Sequence, residues 1–254
     1  MKGEGRQDVA WVIEDIGGRT YFEDAHSLVI QSRGDSTSIL GGIFDGHCGS
    51  AVAKYSAARF PLAFRSYTDA GLTPSRALES SFLTIDRETA RETSGAVAVA
   101  FYLDGHELSF ANSGDAELLL ISKDQCRILT ELHRTSMAVE RQRILEAGGE
   151  IRGQYVMIPD GQGLQCTRSL GDHKFKEFGV IAQPFVSSIR LTADDRWLVA
   201  ACDGLWDVMS PEDVAGIALN FATARDSAEA LANEAVNARR TQDNVTVMVA
   251  RVRR

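Results

Sequence analysis

Gly41-Gly42-Ile43-Phe44-Asp45-Gly46-His47-Cys48-Gly49-Ser50 is an apolar run that stops at a carboxylate, a glycine and a histidine. Ser38 to Phe44 is dense in apolar and small residues with no sustained alternation, the pattern of a strand buried on both faces. The same change from apolar to acidic recurs twice. Trp197-Leu198-Val199-Ala200-Ala201-Cys202 runs into Asp203-Gly204, and Asp243-Asn244 opens Val245-Thr246-Val247-Met248-Val249. Three aspartates therefore stand at the ends of three apolar strands, where a rigid core can hold carboxylates together without sinking them in hydrocarbon. Carboxylates gathered in this way repel one another, and a bound cation resolves the repulsion.

With 254 residues, 44% of them hydrophobic, the chain can bury a sizeable core, and a single domain over 1–254 is expected. The net charge of −8 argues against nucleic acid or an anionic membrane as partner, because both are polyanions and call for a basic face. A phosphorylated substrate would then need local positive charge or metal. The cysteines, Cys48, Cys126, Cys166 and Cys202, are far apart and form no C-x-x-C pair, so reduced thiols in a cytoplasmic protein are expected. Met1-Lys2-Gly3-Glu4-Gly5-Arg6 lacks the apolar core of a signal peptide, and no run approaches the roughly 18 apolar residues of a membrane span.

Working outward, Val9 to Ile13 reads as an edge strand. Glu23-Asp24 precede a strand at Ser27-Leu28-Val29-Ile30, and Arg33-Gly34-Asp35-Ser36 reads as a hairpin turn into the central strand. Ser50 to Tyr67 has helical composition, with Val52, Tyr55, Arg59 and Leu62 on one stripe and Pro61 expected to kink or interrupt it. Thr73-Pro74 starts a second helix that carries Leu78, Phe82, Ile85 and Thr89. Segments 96–103, 107–111 and 116–122 read as a three-stranded meander, which Cys126 to Thr130 extends. A helix from about Ser136 stops at Gly148-Gly149, and 152–163 reads as a mobile surface loop. After a strand near Pro184 to Leu191, capped helix starts are expected at Ser210-Pro211-Glu212-Asp213 and at Asp226-Ser227-Ala228-Glu229. Arg251 to Arg254 form a basic tail. Runs of strands with helices in pairs point to an α+β fold with antiparallel sheets.

Several residue groups now stand in one order: Arg19 with Glu23-Asp24; Phe44-Asp45-Gly46-His47 with Gly49; Ser94-Gly95; Asn112-x-Gly114-Asp115; Leu129-Thr130; Ala147-Gly148-Gly149; Arg168-Ser169-Leu170-Gly171-Asp172; Cys202-Asp203-Gly204-Leu205-Trp206-Asp207; and Asp243-Asn244-Val245-Thr246-Val247. In this the chain resembles the metal-dependent serine/threonine protein phosphatases of type 2C over nearly its whole length. The resemblance implies a β-sandwich of two antiparallel sheets flanked by pairs of antiparallel helices. It also implies a phosphorylated protein as substrate, and a monomer is expected.

In that family pattern Asp45 would bridge two divalent cations, the Gly46 carbonyl would join the second, and Asp203 and Asp243 would hold the first. Glu23 and Asp24 would act mainly through water, and Asp115 with Asp203 would form a weaker third site. An oxygen-only set suits Mg²⁺ or Mn²⁺ and not zinc. The implied reaction is direct hydrolysis of phosphoserine or phosphothreonine by a metal-bridging water or hydroxide, with Arg19 gripping the phosphate and His47 protonating the leaving oxygen. Arg168 and Asp172 are expected to be scaffold, and Cys48 a small buried residue.

Three positions depart from the family's usual pattern. Val97 stands after the Ser-Gly pair where threonine is frequent, Leu132 precedes His133 where aspartate is frequent, and Glu117 stands where arginine is frequent. These bear on substrate recognition and on the third site. Two alternatives stand beside the phosphatase: a catalytically silent binding module of the same fold, against which the intact acidic set argues, and a hydrolase of small phosphate esters.

Overall fold

The computed structural model describes residues 1–34 and 36–252. Asp35 of the expected turn, and Arg253 and Arg254 of the basic tail, lie outside the described residues. The strands β1 (Lys2–Arg6), β2 (Ala10–Asp15), β3 (Ala25–Arg33) and β4 (Ser36–His47) precede the helices α1 (Ala51–Asp69) and α2 (Pro74–Glu88). Next come β5 (Gly95–Asp104), β6 (Glu107–Ser113), β7 (Glu117–Ser122) and β8 (Cys126–Ile128). The helix α3 (Ala138–Glu146) leads to the short strands β9 (Glu150–Arg152), β10 (Tyr155–Met157), β11 (Gly163–Leu164) and β12 (Leu170–Gly171), then to the single turn α4 (His173–Lys176). The remainder holds β13 (Phe185–Arg190), β14 (Asp195–Ala201), α5 (Asp203–Trp206), α6 (Pro211–Ala218), α7 (Ala224–Asn233) with a π-helical turn over Glu234–Ala238, and β15 (Val245–Arg251).

One sheet has the order β1-β2-β15-β14-β7-β8 and the other β13-β6-β5-β4-β3, with antiparallel ladders throughout both. This is the expected α+β arrangement. Between the sheets lie Val12, Ile43, Val99, Phe101, Leu118, Leu120, Leu198 and Met248. The alternate residues of the same strands point outward. On one side Leu119, Val199 and Val247 meet α6 and α7. On the other Ala96, Ala98 and Ala100 meet α1 and α2. Both faces of the central strands are thus covered, which explains why their sequences show no alternation. Because the outward face of β5 is small at Ala96, Ala98 and Ala100, Phe44, Phe60 and Phe82 fill the space beneath the helices, with ring centroids 5.7 and 6.4 Å apart along that series.

Several expectations are corrected. The segment from Val9 to Ile13 is not an edge, because β2 lies between β15 and β1; β1 itself is exposed at every residue and carries no apolar signal. The meander stops after two strands. β7 pairs with β14 in the opposite sheet, because the chain crosses between sheets at Gly114, whose φ of 110° is open to glycine. Residues 152–163 are not a plain loop, since β9, β10 and β11 make a small antiparallel sheet.

α1 runs unbroken through Pro61, held on either side by buried Phe60 and Phe64, so packing overrides the lost backbone bond. Its inward stripe is Val52, Ala53, Ser56, Phe60, Ala63 and Phe64. Tyr55 and Leu62 face out, and Tyr55 and Arg59 instead bond Glu88 of α2. α7 begins a turn early, capped by Thr223, whose hydroxyl accepts from the Asp226 N–H at 3.0 Å. The expected box at Ser210 is present, with Ser210 Oγ accepting from the Asp213 N–H.

Candidate active site

The central strands of the two sheets end at one rim of the sandwich, and their terminal residues are the acids singled out above. Asp45 is the third residue from the end of β4, so the strand continues through Gly46 to His47. Asp24 immediately precedes β3, Asp203 opens α5 directly after β14, and Asp243 stands two residues before β15. Asp24, Asp45 and Cys202 each offer a potential ligand atom, all within 4.8 Å of one another.

The electrostatics of this group follow from crowding. Asp45 is pushed well above the usual carboxylate range by loss of water and by the charges of Asp24, Asp203, Asp115 and Asp243. Burial raises Asp24 to about 6, although hydrogen bonds from Thr246 and Cys202 oppose the rise; the Thr246 hydroxyl donates to Asp24 Oδ2 at 2.7 Å. Asp203 reaches about 7 through burial and the charges of Asp115, Asp207 and Asp243, with Arg134 opposing. The Cys202 thiol is fully buried and pushed well up, so it stays protonated and is a poor metal ligand. What the cluster offers a cation is oxygen.

Around the acids the chain is tied tightly. Asn244, 4% exposed, donates from Nδ2 to the carbonyls of Ile16 and Tyr21 at 3.0 Å each and accepts from the Glu23 N–H at 2.9 Å. One side chain thus positions the loop that carries Arg19, Glu23 and Asp24. The Glu23 carboxylate accepts from the Gly49 N–H. Arg19 donates from Nη2 to Asp243 Oδ2 at 2.6 Å and from Nε to the Gln242 carbonyl at 3.2 Å, with its side chain 40% exposed at the rim.

His47 lies beside this group and faces Asp172, its Nε2 2.8 Å from Asp172 Oδ2. Burial alone would lower the imidazole pKa, but the Asp172 charge and hydrogen bond outweigh it and raise it. Asp172 in turn is lowered, because His47, Ser169 and Lys176 more than offset its burial. The contact depends on Gly95. A Cβ there would stand 2.0 Å from Asp172 Oδ2. Asp172, expected to be scaffold, thus also contacts the His47 ring directly. Cys48 is exposed rather than buried, because its φ of 57° turns the side chain outward.

Asp115, 3% exposed, accepts from Arg134 Nε at 2.7 Å. Glu117, at the position where the family often has arginine, is pushed up to about 7 by burial and by the Asp115 charge. Of the functional contacts, those of Asn244, Asp172, Arg134 and Thr246 were missed in the sequence. Asp172, Asn244 and Thr246 lay inside quoted motifs, and Arg134 directly follows the Leu132-His133 departure, which were the available signals.

The family model described as Protein phosphatase 2C matches residues 16–246. A rice protein (Oryza sativa subsp. japonica), "Probable protein phosphatase 2C 2", is 32% identical over 92% of the chain and 69% of its own length. A second rice protein, "Protein kinase and PP2C-like domain-containing protein", is 35% identical over 93% of the chain, which spans only 38% of that relative. Among solved structures, serine-threonine phosphatase 2C from Toxoplasma gondii superposes with a TM-score of 0.82 at 22% identity, covering 98% of the chain and 99% of that protein, a likeness of fold.

Proposed function

Because the chain belongs to the protein phosphatase 2C family, we propose that it hydrolyses phosphoserine and phosphothreonine in protein substrates, using two divalent cations held by the carboxylates at the sandwich rim. The observation that carries this reading is the gathering of Asp24, Asp45, Asp203 and Asp243 from both sheets, with Asp24 and Asp203 raised to about 6 and about 7. Burial is the first cause of both shifts and neighbouring carboxylate charges add to it, a crowding that bound cations would relieve.

The donor set fits the ions. Asp45, Asp203, Asp243 and the Gly46 carbonyl would hold the two ions, with Glu23 and Asp24 acting through water. Hard oxygen donors suit Mg²⁺ or Mn²⁺, and the protonated Cys202 thiol leaves little for zinc. When bound, such ions acidify the attacking water and offset charge on the phosphoryl oxygens.

The rest falls to the chain's own side chains. Arg19, partly open at the rim and held against Asp243, would turn its free N–H groups to the phosphate, a task suited to a planar fork. His47, with its pKa raised by Asp172, would carry the proton for the departing seryl or threonyl oxygen at Nδ1, since Nε2 faces Asp172. Asp172 would hold the ring in that orientation. Ligands come from both sheets, which supports taking residues 1–254 as one catalytic domain. Among the described residues no helix is long and apolar enough to cross a membrane.

The test is hydrolysis of a phosphothreonine peptide with Mn²⁺, with EDTA, and by Asp203→Asn. Activity lost in both of the last two is expected. Turnover without metal, or full activity in the variant, would sink the mechanism. Preference for a small phosphate ester over every phosphopeptide tried would move the substrate class to small molecules.

A further inference from the structure

The family pattern implies a weaker third cation between Asp115 and Asp203, and the side chains found there do not fit it. Arg134 Nε donates to Asp115 Oδ2 at 2.7 Å, and its Nη2 stands 3.6 Å from Asp203 Oδ2 and 3.5 Å from Asp207 Oδ1. A single guanidinium thus faces all three carboxylates. We propose that Arg134 is a tethered cation occupying the place a third metal ion would take, so that this chain binds two divalent ions and not three. The inference rests on the two-ion reading above.

Three features support it. The first is the fixed origin of the side chain. Arg134 pairs with Cys166 in an isolated bridge, between His133, 1% exposed, and Thr135, 5% exposed. The His133 N–H donates to the Gly114 carbonyl, the Thr167 N–H to the His133 carbonyl, and Thr135 Oγ1 to the Gln154 carbonyl. The guanidinium is therefore launched from a pinned backbone into the acids, and little entropy opposes the contact.

The second is permanence of charge. A guanidinium keeps its proton across the accessible pH range, so its charge cannot be titrated away to admit an ion. Asp115 is nearly closed to solvent. A divalent ion would have to take that carboxylate from Arg134 and leave a cation facing a cation.

The third is geometry. A planar fork satisfies carboxylates at hydrogen-bond and ion-pair separations of 2.7 to 3.6 Å, whereas an ion of the Mg²⁺ type demands near-octahedral oxygens at about 2.1 Å. Asp207, 58% exposed, sits at the open end of the arrangement. Removing the arginine would therefore free a set of oxygens reachable from solvent.

The test counts Mn²⁺ bound by native mass spectrometry and by calorimetric titration. The unmodified protein should bind two ions, Asp115→Asn should still bind two, and Arg134→Lys should behave as the unmodified protein. Arg134→Gln should admit a third ion, with affinity for that ion at least about tenfold above any residual binding in the unmodified protein. A third ion in the unmodified protein, one ion lost in Asp115→Asn, or a count of two in folded Arg134→Gln would each overturn the proposal. Should Arg134→Gln not fold, the first two counts decide alone. No ion bound by the unmodified protein would instead overturn the two-ion reading, so the two failures are distinguishable.

Discussion

Glu140 on α3 is a buried carboxylate whose removal should weaken the fold more than any surface acid. Its side chain is 4% exposed. It accepts from Arg143 Nη1 and Nη2 at 2.8 and 2.6 Å, from the Thr167 hydroxyl at 2.6 Å, and from Arg168 Nη2 at 2.7 Å. Burial would raise its pKa, yet these donors hold it well below the usual carboxylate range. Glu140→Gln keeps the size but removes the charge and turns an NH₂ toward guanidinium donors. Leaving buried cations uncompensated costs about 3–5 kcal/mol. Arg143 and Arg168 are 24% and 15% exposed, so water relieves part of this and the lower end, about 3 kcal/mol, is expected. At roughly 2–4 °C per kcal/mol for a domain of this size, the melting temperature should fall by about 6–12 °C.

Urea unfolding at neutral pH, followed by tryptophan fluorescence, measures the loss. Glu150→Gln supplies the control. Glu150 meets Arg152 Nε at the same 2.7 Å but lies 60% exposed, and its removal should leave the midpoint unchanged. The folded pKa of Glu140 is lowered, so its stabilisation is present above the unfolded value of about 4.3 and is lost as pH falls through the folded value. The gap between the parent and Glu140→Gln should therefore narrow in acid. A loss under about 1 kcal/mol at neutral pH, or one matched by Glu150→Gln, would refute the reasoning.

Other outcomes follow from neighbouring contacts. His133 is 1% exposed and pushed down to about 4 by burial and by Arg168; the unfolded chain binds its proton first, so stability should drop by about 1.5 kcal/mol between pH 6.5 and pH 5. His133→Asn should remove that part of the slope, and parallel urea titrations of parent and variant would reveal it. His47→Ala should slow a phosphothreonine peptide by about 10²–10⁴ while sparing an aryl phosphate, whose leaving group needs little proton assistance; equal losses count against His47 as the acid. Gly95→Ala pushes a methyl to 2.0 Å from Asp172 Oδ2, and the same substrate asymmetry should appear at about tenfold to a hundredfold. If Gly95→Ala left the peptide rate intact, Asp172 would not be positioning His47.

What was legible in the sequence was whatever acts over a few residues. The apolar run into Asp45, the caps at Thr73-Pro74 and Ser210-Pro211, and the order of motifs each carry their cause locally, and the structure bears out these elements. What escaped depends on distant partners. β1 is a strand only because β2 offers it hydrogen bonds, and its own residues are polar. Asp172 meets His47 across 125 positions, and Arg134 finds Asp203 only once the chain has crossed between sheets at Gly114. The stripe on α1 was misplaced because Tyr55 and Leu62 are apolar by composition yet face outward; composition cannot say which way a helix is rotated.

The division of the acidic cluster between two sheets has its own consequence. Asp24 immediately precedes β3 and Asp45 lies on β4 of one sheet, whereas Asp203 and Asp243 flank β14 and β15 of the other. Neither sheet carries the set alone, so the arrangement exists only where the two sheets are packed against each other. On the proposed reading, a substitution that loosens the packing between the sheets should therefore weaken metal binding even where every carboxylate is kept.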